Sequence, residues 1–115
     1  MTHVKQEPTK IDEVGDVTRV RLLPKKLLAE DLVDRVGGDL IALAGKKQKI
    51  AVDCSAVEWM SSRMLGHWLD ANKKKGCRVV FYGICDAIFE VFVISKLDKQ
   101  LTCRKTEGEA LAALT

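Results

Sequence analysis

Side chains able to do chemistry gather in one run, DCSAVEWMSSRMLG, from Asp53 to Gly66. It offers the carboxylates of Asp53 and Glu58, the hydroxyls of Ser55, Ser61 and Ser62, the thiol of Cys54 and, just beyond, the imidazole of His67. A serine nucleophile needs a base within hydrogen-bond reach. His67 lies five positions after Ser62, and a 3.6-residue turn rotates it about 140° away. The other histidine is His3, near the N-terminus, so Ser62 has no base and no catalytic residue is assigned. An aspartate that ends a strand, as Asp53 would, commonly accepts backbone N–H bonds instead of acting as an acid or base.

Other chemistries fail on spacing. Gly38 and Gly45-Lys46-Lys47 do not make a phosphate-binding loop, no G-x-G-x-x-G follows a strand, and Cys54, Cys77, Cys85 and Cys103 contain no C-x-x-C pair. With two histidines in the chain, a zinc site lacks ligands. Free cysteines in apolar runs behave as small buried hydrophobes. No enzyme activity, cofactor or metal is therefore expected.

The elements that must position this run follow from periodicity. Residues 1–9 are polar, contain Pro8 and suit a loose arm, with the folded domain over residues 10–115. Ile11–Val14 and Val17–Leu23 flank Gly15-Asp16, a hairpin turn pair; in the second run Val20 and Leu22 oppose Arg19 and Arg21. Between Ala29 and Ala44 apolar residues recur at helical spacing, interrupted by Gly37-Gly38, which costs helix stability unless something packs closely there. Ile50–Asp53 reads as a strand buried on both faces. A helix over Ser62–Lys75, capped by Ser61 or Ser62 and stopped at Gly76, follows it. Next come a strand over Cys77–Tyr82, a helix capped by Asp86 with Ile88, Val91, Phe92 and Ser95 on one face to about Leu97, a strand over Leu101–Arg104 and a helix over Glu107–Leu114.

Alternating strands and helices imply βαβ units. The expected fold class is α/β: a mainly parallel central sheet, an N-terminal hairpin and about four helices. Function in such sheets gathers at the carboxyl ends of the strands, where the loop from Asp53 to Ser62 falls.

Composition agrees with one soluble domain: 115 residues, 47% hydrophobic and 30% charged. A net charge of +3 without a concentrated basic patch argues against nucleic acid. No apolar stretch approaches the ~18 residues that span a bilayer, and residues 1–9 lack the basic-then-apolar pattern of a secretion signal. Cytoplasmic location without membrane insertion is expected.

The run also resembles the signature of the STAS domains, the family that includes bacterial anti-sigma factor antagonists. Its usual form is D-x-S, two residues, an x-x-[ML] step and D-S-[ST]-G-L-G; here the chain reads DCS, AV, EWM and SSRMLG. The likeness extends from about Ile11 to Leu114 through the order of elements. By position the resemblance makes Ser62 the phosphoacceptor, with Asp53, Ser55, Ser61 and Arg63 supporting the site. Ser61 stands where the family has an acid, Arg63 where it has a small hydroxyl residue, and Met64 where it has glycine.

The resemblance implies a non-catalytic signalling module acting in transcription regulation. Its partner would be an anti-sigma factor with serine kinase activity that binds the ATP itself. An alternative is a constitutive adaptor on a transporter ATPase or larger signalling complex, never phosphorylated. Oligomeric state stays open. Phosphorylation adds roughly −1.5 to −2 charges, which a helix N-terminus stabilises but a partner surface around Met60, Met64 and Leu65 would have to desolvate.

Overall fold

The computed structural model describes residues 7–115. Two antiparallel strands, β1 (Thr9–Val14) and β2 (Val17–Leu22), open the chain around Gly15, whose φ of 62° suits a tight turn. Parallel strands β4 (Lys49–Asp53), β6 (Arg78–Tyr82) and β7 (Thr102–Arg104) complete a five-stranded sheet in the order β1-β2-β4-β6-β7. Of the arm expected over residues 1–9, residues 1–6 lie outside the described residues. Pro8 is buried, with its carbonyl accepting the Leu23 N–H at 3.0 Å, and Thr9 already belongs to the sheet.

Strand alternation sorts the core into two layers. Val20, Leu22, Ile50, Val52, Val79 and Phe81 face helices α1 (Glu30–Ala44), α2 (Ser62–Asn72) and α3 (Asp86–Ile94). Val17, Ala51, Val80 and Tyr82 face Ala110 and Leu114 at the C-terminal helix α4 (Glu107–Ala113). On that second face Arg19 pairs with Asp12 and with Glu107, which also accepts from the Tyr82 hydroxyl. The basic face of β2 is thus the one that holds α4. Trp68 anchors the first layer, stacked on Phe81 at 4.2 Å and edge-on to Phe92 at 5.9 Å.

Several boundaries shift for local reasons. Helix α2 ends at Asn72, and the chain turns through Lys73–Lys75 to Gly76 at φ 81°. Helix α3 ends at Ile94, because Lys96 adopts a left-handed φ of 61° and starts a 3-10 turn over Leu97–Lys99. Asp86 does not cap α3: Cys85 holds the cap position, and Asp86 puts a carboxylate in the first turn, where the helix dipole favours it. Ile88 and Phe92, one turn apart, take the inward face, which rotates Val91 and Ser95 outward. Cys54 is buried, whereas Cys77, Cys85 and Cys103 are half-buried, and all are free thiols.

One element has no counterpart in the expectation. Lys26–Leu27 (β3) and Trp59–Met60 (β5) pair in parallel as a separate two-stranded sheet. It clasps the segment entering α1 to the segment entering α2.

Candidate functional site

The site is built where β4 leaves the sheet. Asp53 Oδ1 accepts the backbone N–H of Ser55 at 2.9 Å and its hydroxyl at 2.6 Å, and Oδ2 lies 3.9 Å from Arg21 Nε. Gly83, just after β6 at φ 73°, packs against this turn: an added Cβ would stand 3.2 Å from the Ser55 Cβ. Asp53 and Ser55 are therefore spent on shaping the loop. The chain then runs through the clasp: Lys25 O accepts from Glu58 N at 2.8 Å and Trp59 N at 3.1 Å, and Leu27 O accepts from Ser61 N at 2.9 Å. Three carbonyl contacts thus fix the approach to α2.

Ser61 occupies the cap position with extended backbone, yet its hydroxyl makes no cap bond; Oγ is buried without a hydrogen-bond partner among the described residues. Ser62, the first helical residue, is exposed. Helical geometry places it about 160° round from Met64, directly outward. Met64 is fully buried in the core with Trp68 and Ala71, which corrects its expected place on a partner surface. The inward stripe of α2 claims the position.

Arg63 is committed to α1. Its Nε and Nη2 donate to the two carboxylate oxygens of Asp34 at 2.6 and 3.0 Å, and Nη1 lies 3.6 Å from Glu30. His67 Nε2 approaches the same Asp34 oxygen at 2.9 Å. The Arg63 guanidinium, and after it His67, holds the Asp34 carboxyl down at about 2. His67 can sit there because Gly37 has no side chain: a Cβ would come 2.3 Å from the ring Cγ. Asp34 and Glu30 were invisible as site residues in the sequence; the signal that touched them was the unexplained Gly37.

On the other flank of Ser62 lies an apolar groove of about 440 Å³ lined by Trp59, Met60, Leu65, Ile88, Val91 and Phe92, with Glu58 and Cys85 at its margins. Met60 and Leu65 are half-buried, whereas Trp59 is 56% and Val91 48% exposed. Cys54 and Cys103 offer little reactivity: burial pushes Cys54 well above its ordinary value and Cys103 to about 11. Among the described residues no three His, Cys, Asp or Glu side chains cluster as metal ligands, and no helix is long and apolar enough to cross a membrane.

No protein-family model matches the sequence, and no curated protein does. Solved structures do. An anti-sigma factor antagonist from Mycobacterium paratuberculosis is 20% identical over 92% of both chains, with a TM-score of 0.77. A STAS-domain protein from Planctomyces limnophilus is 18% identical over 93% of this chain and 97% of its own, with a TM-score of 0.76. The fold is that of the STAS domains. SpoIIAA of Bacillus in its phosphorylated form shares it at 18% identity over 93% of this chain and 99% of that one, with a TM-score of 0.68. Within this STAS fold, Ser61, Ser62 and Arg63 are adjacent in sequence but point three ways: inward, outward and toward α1.

Proposed function

We propose that this chain is a non-catalytic, cytoplasmic signalling module of the anti-sigma factor antagonist type, switched by phosphorylation of Ser62. The observation that carries the reading is the setting of Ser62: an exposed hydroxyl on the outward face of the first turn of α2, beside an apolar groove, on a loop held by the β3–β5 clasp. In the phosphorylation step the Ser62 oxygen attacks the γ-phosphorus of ATP bound by the partner kinase. The bond to the ADP oxygen breaks, the hydroxyl proton passes to a base of the partner, and ADP leaves. The serine needs no base of its own chain, which agrees with the distance in rotation between Ser62 and His67.

In the unmodified state the partner packs on Trp59, Met60, Leu65 and Val91. A phosphate on Ser62 adds roughly −1.5 to −2 charges at the rim of that surface, and desolvating them opposes association. The fold tolerates the charge because the free N–H groups and dipole of α2 stabilise an anion there.

Binding of the anti-sigma factor partner to parent and Ser62→Asp proteins, followed by calorimetry, tests this. The expected outcome is at least a tenfold weaker Kd for Ser62→Asp, about 1.4 kcal/mol, with an unchanged circular dichroism spectrum. Equal affinity would favour the constitutive adaptor.

A further inference from the structure

We propose that Asp34 is a positioning residue for the Ser62 site: it holds the Arg63 guanidinium on α1, so that negative charge placed on Ser62 is not neutralised from within the chain. This rests on the reading of Ser62 as the modified serine.

Arg63 is the cation nearest to Ser62 in sequence, and left free it would be a natural partner for a phosphate. Consecutive helical residues do not face each other; Ser62 and Arg63 diverge by about 100° around α2. The guanidinium fork is used on Asp34 at 2.6 and 3.0 Å, with Glu30 at 3.6 Å from its remaining nitrogen. Asp34 is itself aimed by His67, seated in the space that Gly37 leaves. Two α1 carboxylates therefore surround one arginine. If Arg63 left, Asp34 and Glu30 would lose their shared cation, which opposes its release.

The consequence is functional. An arginine that paired with the phosphate would cancel much of the charge the partner meets, and the switch would be blunted. Held by Asp34, Arg63 contributes a neutralised pair, and the full charge of the modified serine is presented to the partner.

The test uses protein with phosphoserine incorporated at position 62 during translation, so it does not depend on whether any kinase modifies the site. The second ionisation of the phosphate, ordinarily near pH 6, is followed by ³¹P NMR titration. Asp34→Asn should lower that pKa by about half a unit or more by releasing a cation beside the phosphate. Asp34→Glu should restore the parent value, and Asp34→Asn combined with Arg63→Ala should return to it. In the parent background Arg63→Ala should raise the phosphate pKa by less than it does in the Asp34→Asn background, since in the parent it strands a carboxylate but removes no cation that reaches the phosphate. An equal or larger rise on Arg63→Ala in the parent than in the Asp34→Asn background, or no shift in Asp34→Asn, overturns the proposal. Failure of a kinase to modify Ser62 would instead count against the switch itself and leave this titration intact.

Discussion

Gly37 and Gly38 adjoin on α1 but differ in what a methyl group would meet. At Gly37 an added Cβ falls 2.3 Å from the His67 ring, whereas at Gly38 nothing lies within 4 Å. Gly38→Ala should therefore stabilise the protein by about 0.5–1 kcal/mol, the helix-propensity gain of alanine over glycine. Gly37→Ala should destabilise it by about 1–3 kcal/mol, because the overpacking outweighs that same gain. Urea denaturation of the two variants checks both signs. The pair also marks how far single residues were legible. The glycines announced a close approach without saying which one made it, and nothing in the sequence tied His67 to Asp34. Met64 shows the limit, since the resemblance put it on a partner surface whereas the fold buries it with Trp68 and Ala71.

At the level of elements, the alternation in β2 and the helical spacing in α1 carried enough pattern to be read directly. The β3–β5 clasp did not, because a pairing of Lys26–Leu27 with Trp59–Met60 is too short to show any periodicity. Yet it sets the site. Leu27 is fully buried and its carbonyl receives the Ser61 N–H. Leu27→Ala should cost about 2–4 kcal/mol, and hydrogen exchange at the Ser61 amide should accelerate beyond what the global loss explains. Helix α3 makes the complementary point. Its charged residues are Asp86 and Glu90 alone, and Val91 and the 81% exposed Ile94 point to solvent. An apolar exterior of this kind fits the partner surface proposed above. Val91→Asp should leave stability within about 0.5 kcal/mol and weaken partner binding at least tenfold, about 1.4 kcal/mol, as read by calorimetry.

Across the whole molecule, carboxylates on both faces of the sheet are held down by cations: Asp34 by Arg63 and then His67, Asp12 and Glu107 by Arg19, and Asp16 by Lys49. Each loses its proton more readily folded than unfolded. Their stabilisation is present above the ordinary carboxylate range near pH 4 and is lost as pH falls toward about 2, where Asp34 protonates. Thermal melts between pH 5 and pH 2 should show a declining Tm, and Asp34→Asn should flatten part of that decline. The α/β architecture was legible because the strands and helices alternate with clean periods. The charge placement around Ser62 was not, because Asp34 and Arg63 are far apart in sequence and meet only when α1 packs on α2.

The decisive measurement is the site of phosphate incorporation when the protein is incubated with its cognate kinase and ATP and mapped by mass spectrometry. A single phosphate on Ser62, absent from Ser62→Ala, is the expected result. Full incorporation in Ser62→Ala at another residue would contradict the assignment of Ser62 as the switch.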